Sequence, residues 1–396
     1  MASITTEVAI IGAGPSGSIA AYQLASSGLE VLLLDRAKFP RDKPCGGGVT
    51  VRCERILPFS IEPVIEDIIT DADIRIRNEP SVLQSSGSIL TYMTQRSRLD
   101  AFLADKAQEV GANFRDGEQV TDILSNSGDG FVVNTRSGTE IRARVLLGAD
   151  GANGITGNRL GFDSHSEGAV ALEGNVYFHD GVPSEFKHKV ILNFGYLTQG
   201  YGWIFPKGDH INIGVGGSRS SGGKRLKAAM FKLAEIYGVD YDSIIEIKGH
   251  HLPMRHHDSA ISIDGAALLG DAAGLVDPLS GEGIFAALQS GMAVAPIVEQ
   301  YLSSEVDSLN GYQLELQKQL IPEIETSEAL MQIFHTYPRP FVWMLQHVGM
   351  FWIGAIELIR GDSTYLDLIN KFGRIGQSLL RPAAWLGDKI SVRRRI

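Results

Sequence analysis

Two groups of residues in this 396-residue chain have types and spacings suited to chemistry. The first is "GAGPSG", with Gly12, Gly14 and Gly17 in G-x-G-x-x-G spacing. A glycine at the first place allows a tight turn. One at the second lets backbone approach a pyrophosphate, and one at the third lets a helix pack close to a strand. Pro15 and Ser16 fall where a helix would start, and a helix start offers free N–H groups to phosphates. Asp35, followed by Arg36, closes the next apolar stretch and is placed to accept hydrogen bonds from a ribose hydroxyl. The second group is "KPCGGG", in which Cys45 stands directly before Gly46, Gly47 and Gly48. Glycines leave no side chains over a flat surface, so a ring or a substrate can approach the backbone closely. Cys45 would then face the reacting space, donating a proton or shaping the pocket. The competing reading is a small buried hydrophobe.

The elements that must hold these residues follow from pattern. Residues 7–11 read as a short apolar strand, and a helix runs from about Ser16 to near Gly28. The segment "EVLLLD" is a second strand ending at Asp35. This unit predicts a bound dinucleotide without deciding between flavin and nicotinamide. Two distant motifs decide for flavin. A hairpin over residues 129–147 runs into "GADG", with Asp150 and Gly151. Far downstream, "AALLGD" reads as a strand ending in Asp271, and "GEGIF" (Gly281, Gly283, Ile284) opens a helix. Simple nicotinamide domains have no use for such a remote acidic strand end. The ribityl chain of FAD needs hydroxyl partners beyond the first phosphate site. A helix start there would aim its positive end at the flavin N1/O2 edge.

Taken together, "GAGPSG", "GADG" and "GDAAG…P" resemble the FAD-dependent oxidoreductases of the p-hydroxybenzoate hydroxylase fold. That resemblance implies that Arg96 and Asp100 in "QRSRLD" match the group's R-x-x-x-D helix start, with the arginine facing FAD; a surface helix charge is the other reading. The "KPCGGGV" loop resembles the geranylgeranyl reductase family in particular, whose members reduce isoprenoid double bonds in lipids, chlorophyll precursors or quinones. "YGWIFP" matches that family's Y-x-W-x-F-P pattern at Tyr201, Trp203, Phe205 and Pro206, and "LIRGDSTYLDLINKFG" is similar to its C-terminal segment. Strand alternation puts Tyr201, Trp203 and Phe205 on one face, an apolar wall suited to a prenyl chain. Lys207, just beyond, reads as solvated, with a hold on a polar head group as the other reading.

The resemblance implies an α/β fold, α+β overall: a Rossmann-type FAD-binding domain, an inserted antiparallel β-sheet substrate domain and a helical C-terminal region. The FAD-binding domain is expected at 1–75, 96–160 and 262–300, the substrate sheet at 76–95 and 161–261, and the helical region at 301–396. It implies FAD as cofactor, NAD(P)H or ferredoxin as transient electron donor, and a hydrophobic isoprenoid substrate reduced by hydride transfer from the flavin. The alternative is an FAD-dependent monooxygenase of an aromatic or quinone-like substrate, which would share every FAD motif.

Composition sets the outer bounds. A net charge of −10 argues against nucleic acid as a main partner. Cys45 and Cys53 are the only cysteines, too few for a disulfide framework, and Cys53 reads as an ordinary helix residue. The N-terminus shows no secretory pattern, so the protein is expected in the cytoplasm. Residues 341–359 have about the length of a membrane span. Gln346, His347 and Glu357 interrupt them, so a buried or half-buried helix is expected. Trp343, Met344, Met350, Phe351 and Trp352 read as core, as tunnel lining or as lying in a membrane interface. "GHHLPMRHH" reads as a solvated loop, and no metal site is expected. The terminal "SVRRRI" reads as a solvated tail, with peripheral attraction to an anionic membrane as the minority reading.

Overall fold

The computed structural model describes residues 3–126, 130–162, 166–197, 199–255 and 259–371. Strand Ser3–Ile11 lies at the centre of an eight-stranded sheet. It pairs in parallel with Val31–Leu34 on one side and with Glu140–Gly148 on the other. Alternate residues of this strand enter two separate cores. Val8 and Ile10 pack with Leu24, Val294 and Leu302 of the covering helices, while Ala9 and Ile11 pack with Val120, Phe131 and Ile141. Burial on both faces is why the strand reads as a continuous apolar run. The expected hairpin is present as Gly130–Thr135 antiparallel to Glu140–Gly148, and the latter also pairs in parallel with Ala266–Leu268.

Helix Pro15–Ser26 covers this sheet and is followed by Gly28 at φ +85°. Helix Ile284–Leu302 packs against it through Gly291, where a Cβ would come within 2.4 Å of the Ser16 carbonyl oxygen. A larger residue there would separate two helices whose N-terminal ends both border the site described below.

A second, seven-stranded sheet runs in the order Ile245–Met254, Ser166–Tyr177, His210–Ser218, Tyr201–Pro206, Lys189–Phe194, Asp71–Ile76, Val82–Ser85. All its pairings are antiparallel except Lys189–Phe194 with Asp71–Ile76. Helix Gly222–Ile236 fills one face with Leu226, Met230 and Leu233. A small sheet of Gly48–Thr50, Thr91–Met93 and Asp67–Ile69 completes the β-structure.

Several local expectations change. The apolar stretch 341–359 is not one helix but two, Pro338–His347 and Gly349–Arg360, bent by 98°. Among the described residues, no single helix is long and apolar enough to cross a membrane. Gln346, the polar interruption, ties this bend to the second sheet. Its side chain donates to Ile74 O at 2.9 Å, and its carbonyl accepts from Gln84 at 2.8 Å. Trp352 is core and donates to Ser85 O at 3.0 Å. Trp343 and Met350 are neither core nor tunnel lining: they are 56% and 62% exposed. His250 and His251 belong to strand Ile245–Met254, because edge pairing with Ser166–Tyr177 extends through them. His256, His257 and the basic tail lie outside the described residues.

Candidate active site

A cavity of about 580 Å³ is bounded by the C-terminal end of strand Ser3–Ile11, the Cys45 loop and one face of the second sheet. It is bordered by Gly12, Gly14, Pro15, Ser16, Asp35, Arg36, Arg96, Asp150 and Gly151 from one part of the chain. Asp271, Gly281, Gly283 and Ile284 come from another, and Cys45, Gly46, Gly47, Tyr201, Trp203 and Phe205 complete the set. Of the residues singled out from sequence, Gly17, Asp100 and Pro206 stand back from it. Gly17 acts in packing: a Cβ there would sit 1.9 Å from the Gly12 carbonyl oxygen. Pro206 ends the aromatic strand opposite Ile211.

The glycine turn has the geometry its spacing demands. Gly12 has φ +104°, and a Cβ on it would lie 2.2 Å from Ala149 O. Gly14 is open, with only the Arg41 guanidinium within reach, 3.7 Å from a Cβ placed there. The following helix starts at Pro15, so the first-turn N–H groups have no intrahelical acceptor. Asp35 braces this turn, accepting from Ala13 N–H at 3.0 Å and Ala37 N–H at 2.9 Å.

Arg96 does not lie on the surface. It is buried and bidentate to Asp100, at 2.8 and 2.7 Å. Arg41 reaches the same carboxylate at 3.0 Å and Asp35 at 3.4 Å, so four charges form one chain along the wall. Burial alone would lower the Arg96 pKa, but Asp100 overrides it and the guanidinium stays charged. Asp150 caps the short helix Thr156–Arg159 with one oxygen, which accepts from Ile155 N–H, Thr156 N–H and the Thr156 hydroxyl. Its other oxygen is buried without a partner, and burial raises its pKa. Asp271 sits in the turn Gly270–Ala273 after strand Ala266–Leu268. Burial would raise its pKa; Lys43 at 3.0 Å and His250 at 3.8 Å instead hold it well below the usual carboxylate range. The start of helix Ile284–Leu302 is partly answered by protein, since Glu282 accepts from Phe285 N–H at 2.7 Å and pairs with Arg52 at 2.9 Å.

These residues fit FAD. An open glycine precedes a helix N-terminus. Asp150 Oδ1, buried without a hydrogen bond, belongs to a wall residue, where a hydroxyl-bearing chain has a polar atom to meet. The FAD binding domain family matches residues 5–315. This chain belongs to that family, in its geranylgeranyl reductase branch. A digeranylgeranylglycerophospholipid reductase of Methanosphaera stadtmanae is 30% identical over 75% of this chain and 78% of its own. A menaquinone reductase of Mycobacterium tuberculosis is 32% identical over 74% of this chain and 77% of its own. Among solved structures, a geranylgeranyl bacteriochlorophyll reductase-like protein of Thermoplasma acidophilum superposes with a TM-score of 0.76 at 22% identity, covering 93% of this chain and 99% of that one. A flavin-dependent brominase superposes with a TM-score of 0.74 at 18% identity, covering 97% and 99%; at such identities the likeness is one of fold. The protein is an FAD-dependent oxidoreductase.

In this flavoprotein the Cys45 loop is held from several sides. Cys45 N–H donates to Glu173 Oε1 at 2.7 Å, and Gly46 O accepts from Lys207 Nζ at 2.5 Å. The glycines are required for a reason not visible in sequence. A Cβ on Gly46 would lie 2.8 Å from the Phe205 ring. One on Gly47, at φ +70°, would lie 2.0 Å from Thr94 O. Glu173, Lys207, Lys43, His250 and Arg41 were not singled out as site residues. Lys207 corrects the solvated reading, being 4% exposed. Glu173 left one signal: it is the only charge in the strand stretch "ALEGNVYF".

Proposed function

We propose that this flavoprotein saturates carbon–carbon double bonds of a prenyl lipid or prenyl side chain. The observation that carries the reading is the composition of one cavity. The cradle of Gly12, Gly14 and Asp35 opens into the same space as the Cys45 loop and an apolar wall of Tyr201, Trp203 and Phe205. Successive rings of that wall lie 6.0 and 6.2 Å apart, and Val190, Leu192 and Ile359 extend it. A chain without polar handles is bound by area and excluded water, which such a wall supplies. The names of the two curated relatives, both reductases of prenyl-bearing compounds, support the same class.

FAD, when bound and reduced by a transient donor such as NAD(P)H or ferredoxin, supplies the hydride. The chain's own residues do the rest. Gly12, Gly14 and the start of helix Pro15–Ser26 take the pyrophosphate, Asp35 a ribose hydroxyl, and Asp271 a hydroxyl of the ribityl chain. Arg96, fixed by Asp100, presents a permanent positive charge at the wall. The aromatic strand orients the alkene and keeps water out. Cys45 holds a proton on Sγ beside the reacting space, for delivery to the second alkene carbon.

The test is anaerobic. The bound flavin is reduced with dithionite, geranylgeranyl lipids and a menaquinone are added, and flavin absorbance is followed with mass spectrometry of the products. Reoxidation with products heavier by two hydrogens per bond is expected. No reoxidation until oxygen is admitted, with a product heavier by one oxygen, would make the protein a monooxygenase.

A further inference from the structure

Two charges of opposite sign, Glu173 half-buried and Lys207 buried, grip successive residues of the Cys45 loop, and neither belongs to the loop. Glu173 projects from strand Ser166–Tyr177 and accepts the Cys45 N–H at 2.7 Å. Lys207, just past strand Tyr201–Pro206, donates to the Gly46 carbonyl at 2.5 Å, with Met93 Sδ at 3.7 Å. Lys207 cannot be exchanged for solvent, being 4% exposed. The loop closes on itself between these anchors: Gly47 N–H donates to Cys45 Sγ at 3.4 Å, and Gly47 O accepts from Thr94 N–H at 2.8 Å.

We propose that Glu173 and Lys207 are positioning residues, a two-ended clamp that fixes where the Cys45 thiol stands in the cavity. The assignment of Cys45 to the reacting end rests on the function proposed above; the clamp itself does not.

The clamp has a chemical consequence. Burial pushes the Glu173 carboxyl up to about 7 against the opposing pull of Cys45 N–H and Lys207. Burial pushes Lys207 down to about 8, against the opposing pull of Cys45, Glu66, Glu173 and Asp67. Other groups facing Glu173 are Asp42 of the loop, Asn212 of strand His210–Ser218 and, more remotely, Lys248 of strand Ile245–Met254. Lys248 is itself tied to Asp42 at 2.5 Å. A neutral carboxylic acid is a weaker acceptor for an amide N–H than a carboxylate, and a neutral amine a weaker donor than an ammonium. The grip on Cys45 is therefore tightest near neutral pH and loosens on either side.

Alkylation reads this without any substrate. Cys53 is fully buried and its thiol is pushed up to about 12, so iodoacetamide reports Cys45 alone. Rates would be measured on the FAD-loaded protein over roughly pH 6 to 9, for wild type, E173Q, E173A and K207M, each checked for folding by circular dichroism. Wild type is expected to show an inflection near neutrality. E173Q keeps an acceptor oxygen and so should label near the wild-type rate at the clamp's optimum while losing the acid-side inflection. E173A and K207M should label about fivefold or more differently from wild type, as the thiol leaves its position. Folded E173A and K207M that label at the wild-type rate would overturn the proposal. Should those two fail to fold, E173Q retaining the full wild-type pH profile would overturn it alone. Failure of prenyl lipids to reoxidise the flavin would remove the proposed function and leave these rates untouched.

Discussion

Replacing Glu173 by glutamine should flatten part of the fall in stability with rising pH. The carboxyl is pushed from its ordinary 4.5 up to about 7. Between those values the folded state holds a proton that the unfolded state has released. The unfolding free energy therefore falls as pH rises through this window. The full displacement corresponds to roughly 3 kcal/mol, of which about 2 kcal/mol lies between pH 5 and 7. Lys207, pushed down to about 8, remains mostly charged in that interval and adds little slope. Urea unfolding of wild type and E173Q at about pH 5 and pH 7, followed by tryptophan fluorescence, isolates the effect because all other carboxylates are shared. The stability of E173Q relative to wild type should be about 2 kcal/mol more favourable at the higher pH. An equal difference at both pH values would refute the reasoning, since Glu173 would then titrate alike folded and unfolded.

Three further outcomes follow from named contacts. Cys45→Ser should retain FAD, because among the described residues Cys45 Sγ has only the intraloop bond from Gly47 N–H. It should lower the rate of substrate-dependent flavin reoxidation by about a hundredfold. Asp271→Ala removes the partner of Lys43 and should weaken FAD retention at least about tenfold, read as flavin absorbance per protein after gel filtration; full occupancy would contradict the ribityl assignment. Trp352→Ala empties a core site and breaks the bond to Ser85 O, and should cost about 3 kcal/mol in urea unfolding.

The cofactor half of the molecule was legible because its chemistry is local. Gly12, Gly14, Gly17 and Asp35 lie within one strand–helix–strand unit, so spacing alone carries their geometry. The Cys45 loop was legible as a place but not as a mechanism. Its partners Glu173 and Lys207 arrive from strands far along the chain, and no local pattern reports a contact at that separation. Lys207 looked solvated because lysine at a strand end usually is; here Gly46 O receives it. The bend between the two C-terminal apolar helices escaped for a related reason. Gln346 was visible as a polar interruption, but the sheet carbonyl that uses it was not.

The order in which the central sheet is assembled bears on how the protein is made. Strand Ser3–Ile11 leaves the ribosome first, yet its neighbour Glu140–Gly148 comes much later, and Ala266–Leu268, on that strand's far side, later still. At roughly 5 to 20 residues per second, about 10 to 50 seconds separate the first strand from the last. Helix Ile284–Leu302, which Gly291 seats against helix Pro15–Ser26, follows later again. The nascent N-terminal unit therefore waits with one edge of an apolar strand unpaired and a dinucleotide turn it cannot complete. Cofactor capture is a late event in biogenesis, and a chain that ends before about residue 302 would lack the helix that closes the cradle.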